Sequence, residues 1–374
     1  MTEMKPLKKF FRTLLFTLYT IVLGCLILSA FSGYVSPHRI VFLSYLGLFF
    51  PFILVGNIAL FTVWLLFKQW KKILLHLVVF GICGGAIYTY CPLHKKTEKI
   101  PEDAIKILTY NVMRFNDLNK KDEGNPPNSI LQFILENDAD IVCIQEFGSS
   151  KKSKSHFLTD KEIMEALNKY PYHYLNSLQY PNANEKYGLA IFSRFPIIST
   201  QNISYESVVN GSFVTELDIN GKKVTLINNH LESNKLTTEE RSNYYQLTRE
   251  IDSESLNSFT QMMTTRLTPA FKARADQAHI ISKIIEENEN PYIIVCGDFN
   301  DTPISYTRYK IKGSLRDAFV DTGSGLGITY NKHRFLFRID YILHSKNIKS
   351  YNCTVGKLKS SDHYPLWCYL QLGE

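Results

Sequence analysis

In the second part of the chain, acids, amides and imidazoles stand at the ends of apolar runs. Pro291 to Cys296 leads into Gly297-Asp298-Phe299-Asn300, Ile105 to Tyr110 into Asn111, Asp140 to Ile144 into Gln145-Glu146, and Val224 to Asn228 into Asn229-His230. Two later segments carry Asp340 and Ser361-Asp362-His363. Runs of this length predict strands, and a strand end is where a sheet can present polar side chains to a substrate. The chemistry these residue types suit is metal-assisted attack on phosphate. A phosphoester is anionic and repels an incoming hydroxide, so a divalent cation is needed to neutralise its oxygens and steady the leaving group. Mg²⁺ prefers oxygen ligands and keeps several waters, so one or two carboxylates suffice, with Glu146 the first candidate.

Taken singly, each residue also has an ordinary reading. Glu146 could be a solvated strand end, Asp298 and Asn300 a strand-ending turn built on their own side chains, and His230 a packed histidine. Recurrence of the pattern along the chain is what favours chemistry. Gly323-Ser324-Gly325-Leu326-Gly327 lacks the strand-to-helix setting of a phosphate cradle and reads as a loop. Arg194 could touch phosphate or pair on the surface.

The elements that must position these residues alternate short apolar runs with amphipathic stretches. Helical spacing marks Asn128 to Asn137, Asp160 to Lys169 and Arg274 to Glu287, and further strands are expected at Leu189 to Ser193, Phe213 to Ile219, Ile339 to Leu343 and Leu366 to Leu372. Several runs follow one another without a helix between them, which predicts an α/β fold with mixed or antiparallel sheet. His94 to Asp103 is polar, contains Pro101 and reads as a linker, so the expected organisation is a membrane region over 1–92, a linker over 93–103 and a catalytic domain over 104–374. Leu236 to Ala270 stands apart as a polar stretch with scattered apolar residues, expected to be a helical insertion. It either packs as a surface elaboration or serves as a lid or membrane-contacting arm beside His230.

Leu14 to Phe31, Ile40 to Phe67 and Ile73 to Tyr90 are nearly free of charge and close to or beyond the ~20 residues that cross a bilayer core, so three transmembrane helices are expected. Aromatic residues near their ends suit the interface, and Gly81, Gly84 and Gly85 offer a small face for packing. Lys5, Lys8, Lys9 and Arg12 precede the first span, and Lys68, Lys71 and Lys72 separate the second from the third. Both clusters are expected on the cytoplasmic side, which places everything after about Cys91 outside the cytoplasm, on the periplasmic side in a bacterium. Pro51 lies inside the long second stretch, and this orientation would reverse if that stretch were two short re-entrant pieces or two crossings.

The formal charge of +7 belongs to residues 1–92, and the remainder is neutral. A long polyanionic partner is therefore not demanded, although Lys151, Lys152 and Lys154 could form a local basic strip. The seven cysteines show no CxxC or zinc spacing and do not form a disulfide framework, although Cys353 and Cys368 could pair in an oxidising compartment.

Together the segments resemble the endonuclease/exonuclease/phosphatase (DNase I-like) superfamily. The matching pieces are Thr109-Tyr110-Asn111, Ile144-Gln145-Glu146-Phe147, Gly188 to Arg194, Asn229-His230-Leu231, Gly297-Asp298-Phe299-Asn300, Arg338 to Ile342 and Ser361 to Pro365, in the family's order. The resemblance covers about Ala104 to Leu372 and leaves out the spans. It implies two packed mixed β-sheets flanked by helices, a four-layer sandwich, with Mg²⁺ or Mn²⁺ held by Asn111, Glu146 and Asp362. It further implies Asp298 as the base for water, Asn300 as an amide donor, Asp340 orienting a protonated His363, and His230 facing the phosphate. Histidine at 230 is more similar to the sphingomyelinase, inositol-phosphatase, deadenylase and DNase I-type branches than to the abasic-site nucleases.

The expected function is a membrane-anchored, divalent-metal-dependent phosphoesterase. Its expected partners are the lipid bilayer and a phosphoester substrate, either a lipid head group, a small phosphoester or nucleic acid, and no protein partner is inferred. An extracytoplasmic nuclease is the alternative enzyme, and a non-catalytic membrane receptor or scaffold the alternative of another class.

Overall fold

Two six-stranded sheets stack face to face through one apolar interior. The computed structural model describes residues 4–116, 128–150, 158–178, 185–207, 209–235, 257, 260–332 and 336–373. The strands are β1 (Ile105–Asn111), β2 (Ile141–Ser150), β3 (Tyr172–Leu178), β4 (Glu185–Ser193), β5 (Ile197–Ile203), β6 (Gly211–Ile219), β7 (Lys222–His230), β8 (Tyr292–Asp298), β9 (Arg316–Asp317), β10 (Asp340–His344), β11 (Ile348–Val355) and β12 (Leu366–Leu372). The helices among the described residues are α1 (Met4–Ala30), α2 (Val41–Leu48), α3 (Phe50–Leu66), α4 (Trp70–Ile82), α5 (Gly84–Tyr90), α6 (Ser129–Asn137), α7 (Asp160–Ala166), α8 (Thr268–Glu286), α9 (Tyr306–Lys312) and α10 (Ala318–Thr322).

One sheet has the order β11-β12-β1-β2-β4-β3 and the other β5-β6-β7-β8-β10-β9. Ile107, Cys143, Leu189 and Ile191 of the first meet Phe213, Leu226, Ile294 and Cys296 of the second in the interior. The outer faces are covered as well: α6 and α7 bring Ile130, Ile134 and Ile163 onto Leu108, Val142 and Ala190, and α8 and α9 bring Ala278, Ile281 and Ile311 onto Ile293, Val295 and Leu343. Central strands buried on both faces must be apolar throughout, which is why β1, β2 and β8 read as continuous runs. Each such fully buried Ile or Leu contributes about 1.5–3 kcal/mol. The edge strands β3 and β5 are largely exposed and carry polar residues, so the sequence showed no strand there.

The helix starts are chemically marked. Asn128 Oδ1 accepts from the backbone N–H of Ile130 and Leu131 at 3.1 and 3.2 Å, and Thr159 and Glu162 form a reciprocal capping box on α7.

Ahead of the sheets, α1 contains one straight apolar stretch, Thr13–Ala30, long enough to cross a membrane. The other two expected spans are not straight helices. α2 and α3 are bent by 62° and α4 and α5 by 63°, so among the described residues one helix is long and apolar enough to cross a membrane, or up to three if each bent pair counts as one. Pro51 explains the first break, since it lacks an N–H and its ring opposes the carbonyl of Gly47 one turn back. The second falls at Cys83, beside Gly81, Gly84 and Gly85.

α1, α3 and α4 pack as a bundle in which Asn57 Nδ2 donates to Ile53 O at 2.8 Å and the Tyr19 hydroxyl lies 3.1 Å from His76 Nδ1. One end of this bundle rests on the sheet domain. Ser32 donates to Ile304 O at 3.3 Å, the rings of Tyr34 and Tyr309 lie 4.4 Å apart, and Arg338 Nη2 donates to Thr89 O. The stretch expected as a linker is also seated, with His94 Nε2 2.9 Å from Val320 O and Leu93 bridged to Ser324 of the glycine-rich loop. All seven cysteines are free thiols, Cys353 and Cys368 included. Lys151, Lys152 and Lys154, and the insertion from 236 to 256, lie outside the described residues.

Candidate active site

Strand register assembles the centre. In the parallel pair β7/β8, His230 stands opposite Asp298, and in the antiparallel pair β8/β10, Asp298 stands opposite Asp340, so three polar residues line up across neighbouring strand ends. Gly297 permits this approach. Its φ of +121° is outside the range of other residues, and a Cβ there would lie 2.1 Å from Asn229 O. From the other sheet, Asn111 ends β1, and Glu146 sits where the register of β2 against β4 shifts between Ile144 and Phe147. That irregularity, with Glu146 at φ +49°, turns its side chain toward the cleft, a common use of a bulge.

The two sheets meet through Asn111. Its Nδ2 donates to Glu146 Oε1 and to Asp298 Oδ2, both at 3.1 Å. Asp298 Oδ1 accepts from Asn300 N at 2.8 Å, which fixes the carboxylate from its own turn. His363 Nδ1 donates to Asp340 Oδ2 at 2.9 Å while Nε2 lies 3.6 Å from Asp298 Oδ2. His230 Nε2 is 3.7 Å from Glu146 Oε1 and 3.8 Å from Asp298 Oδ2. The loop carrying Asp362 is tied to β1 by Ser361 Oγ donating to Asn111 O at 2.8 Å. All eight residues singled out in the sequence therefore surround one centre, and six of them line a cleft of about 190 Å³: Glu146, His230, Asp298, Asn300, Asp362 and His363.

Burial and neighbouring charge set these groups apart. Burial pushes the Asp298 carboxyl up and the Asp340 charge adds to it, giving about 6 despite His363, His230 and the Asn300 N–H. Burial alone would lower His363, but the carboxylates of Asp340 and Asp298 override it and raise the imidazole to about 10. His230 is lowered by burial, against the opposing pull of Asp298. The centre thus pairs a cationic imidazole with a neutral-leaning one across a single carboxylate. Glu146 is raised by burial first and by repulsion from Asp362 second, although its side chain keeps 28% exposure.

Two groups of side chains could hold a divalent ion. Asp298, Asp340 and His363 place ligand atoms within 4.8 Å of one another. There, however, both imidazole nitrogens already face carboxylates, an arrangement that holds a proton. Asn111, Glu146 and Asp362 offer oxygen donors only, which suits a hard divalent cation, and the Glu146–Asp362 repulsion is what such a cation would relieve.

Some participants carried no sequence signal. Asn210 Nδ2 lies 3.4 Å from His230 Nε2 and donates to Leu231 O at 2.9 Å, Tyr330 stacks edge-on to His363 at 5.1 Å, and Thr329 Oγ1 accepts from Ile339 N and Asp340 N at 3.0 and 3.1 Å. None belongs to a motif. Asn300 Nδ2 donates to Leu231 O at 2.9 Å, so one of its amide hydrogens is already engaged. Arg194 pairs with Asp140 at 2.8 Å and with Asp138, which settles its role as a surface ion pair.

Residues 108–363 match the model of the endonuclease/exonuclease/phosphatase family, and residues 10–90 match a domain of unknown function. No curated protein matches the chain. Among solved structures, an endonuclease/exonuclease/phosphatase from Beutenbergia cavernae is similar at a TM-score of 0.50 and 14% identity, over 72% of this chain and 72% of its own. A family protein from Leptotrichia buccalis gives 0.47 and 19% over 71% and 98%, and D. rerio TDP2 complexed with a single-strand DNA product gives 0.46 and 14% over 71% and 98%. With the family model spanning most of both sheets and every strand end that builds the centre, the chain belongs to the endonuclease/exonuclease/phosphatase family, whose members are metal-dependent hydrolases of phosphoester bonds.

Proposed function

We propose that the protein is a membrane-anchored phosphoesterase that hydrolyses a phosphodiester or phosphomonoester with Mg²⁺ or Mn²⁺. The observation that carries this is the alignment of His230, Asp298 and Asp340 across β7, β8 and β10, joined to Glu146 by the amide of Asn111. Asn111, Glu146 and Asp362 would hold the cation, which when bound supplies charge neutralisation at the phosphate. Asp298, fixed by the Asn300 N–H, orients the attacking water and accepts its proton. His363, kept cationic by Asp340, stabilises charge on the phosphoryl oxygens, and His230 faces the leaving oxygen as donor. The balance is simple: water oxygen bonds to phosphorus, the ester P–O bond breaks, and the released alcohol takes a proton.

The apolar α1 and the two bent pairs support the anchor, and the basic clusters around the spans support a catalytic domain outside the cytoplasm. Full-length protein assayed with Mg²⁺ and with Mn²⁺ against phospholipids, inositol phosphates, nucleotides, DNA and RNA tests the reading. Metal-dependent turnover of at least one class is expected; none on any substrate contradicts it. The family description spans nucleases, so nucleic acid is the second substrate reading, and steep loss of its cleavage with added salt would mark it.

A further inference from the structure

The membrane region contributes directly to the cleft. α2 (Val41–Leu48) carries no charge, and instead of continuing into α3 it docks on the segment that leads into α8. The Tyr45 hydroxyl donates to Met263 O at 2.7 Å, its ring lies 5.5 Å from Phe271, and Val41, Tyr45 and Leu48 pack on Met262, Leu267 and Phe271. At the end of α2, Leu48 and Phe49 then line the same cleft as Glu146, His230 and Asp298, together with Met262, Leu267, Phe271 and Phe337. Acids and imidazoles thus share the cleft with an apolar wall, part of which is the bend of a candidate membrane helix pair. On either side of that bend Phe42 and Phe52 are 59% and 58% exposed, so the apolar wall runs on into surface suited to lipid.

We propose that the substrate is a bilayer-resident lipid phosphoester, with its phosphate among Glu146, His230 and Asp298 and its hydrocarbon leaving the cleft along Leu48 and Phe49. This rests on the phosphoesterase reading above. A head group or nucleotide without a chain would leave the apolar wall facing water, whereas each methylene laid against it contributes about 0.8 kcal/mol. The described cations at the cleft also argue against a polyanion. Lys235 pairs with Glu232 at 2.5 Å, and Arg274 with Asp301 at 3.2 Å. Hydrolysis adds water across one P–O bond, and the chain-bearing product stays in the bilayer while the other is released.

The test uses full-length protein in phosphatidylcholine–phosphatidylglycerol vesicles with Mg²⁺ or Mn²⁺. Diacyl phospholipids of each common head group, with four-carbon, six-carbon and oleoyl chains, are compared with bis(p-nitrophenyl) phosphate. For at least one head group, kcat/KM should rise with chain length by about tenfold or more, the effect of burying about two methylenes. Leu48→Ser and Phe49→Ser should lower the ratio of long-chain to bis(p-nitrophenyl) phosphate turnover by a similar factor. Equal kcat/KM across chain lengths, with the chain-free ester still hydrolysed, overturns the lipid assignment and leaves the phosphoesterase reading standing. If neither ester nor lipid is hydrolysed, both fall. Should the serine variants not fold, the wild-type chain-length series decides alone.

Discussion

Asp340 Oδ2 accepts a 2.9 Å hydrogen bond from His363 Nδ1, joining the first residue of β10 to a loop residue 23 positions later. The second imidazole nitrogen is thereby aimed at Asp298, 3.6 Å away. Asp340→Asn keeps a hydrogen-bond acceptor for Nδ1 and removes only the charge. We expect turnover of the preferred phosphoester to fall by about 10²–10³-fold, the usual cost of losing one preorganised electrostatic donor. Turnover within twofold of wild type would show that the Asp340 charge is not used.

Glu146 and Asp362 repel one another across the cleft. Chelation with EDTA should abolish activity and added Mg²⁺ or Mn²⁺ restore it. Glu146→Gln should shift the metal concentration for half-maximal activity upward by tenfold or more, roughly the loss of one carboxylate ligand worth at least about 1.4 kcal/mol. Direct metal titration by calorimetry gives a readout independent of turnover. An unchanged metal dependence would move the ion to the Asp298, Asp340 and His363 group.

Gly297 holds the β7/β8 pair in close contact just before Asp298. Gly297→Ala places a Cβ against the Asn229 carbonyl at a backbone angle that costs about 1–3 kcal/mol by itself. Thermal unfolding should show a clear loss of Tm, with kcat reduced because His230 and Asp298 move apart. A variant with wild-type Tm and kcat would contradict this role.

Away from the cleft, Asp317 joins Arg308 at 2.6 Å, buried. Burial raises its carboxyl, but the guanidinium charges of Arg308 and Arg338 outweigh this and hold it below the ordinary value of 3.8. A carboxyl depressed in the folded state contributes stability above its unfolded pKa, and that contribution is lost as pH falls through the folded one. Urea unfolding should therefore weaken below about pH 4, the ordinary aspartate range. Asp317→Asn, which leaves buried guanidinium unpaired, should cost about 3–5 kcal/mol at neutral pH and flatten the acid limb. Equal stability of the variant would contradict the assignment.

How much was legible follows from where each signal lies. Strands buried on both faces announce themselves as apolar runs, and the residues at their ends, Asn111, His230 and Asp298, could be read because the runs stop there. Glu146, two residues past its run like His230 and Asp298, was legible in the same way, but only the bulge explains its direction. Asn210 and Tyr330 join the centre through loops whose course is set by tertiary contacts, so nothing local marks them. The bend between α2 and α3 was foreshadowed by Pro51, but a hydropathy pattern has no term for a helix that turns aside to dock on a neighbouring domain. By length and composition the three expected spans reduce to one straight helix, or stand as three if each bent pair counts as one.

The most direct test compares wild-type protein with Asp298→Asn, in full-length form with Mg²⁺ or Mn²⁺, using bis(p-nitrophenyl) phosphate and the best substrate from the panel. Asp298 is linked to Asn111, His230, His363 and, through strand register, Asp340. Loss of at least about 10²-fold in kcat, with an unchanged circular dichroism spectrum, is the predicted result for a positioned base. Wild-type turnover by Asp298→Asn would contradict a hydrolytic centre built on β7, β8 and β10.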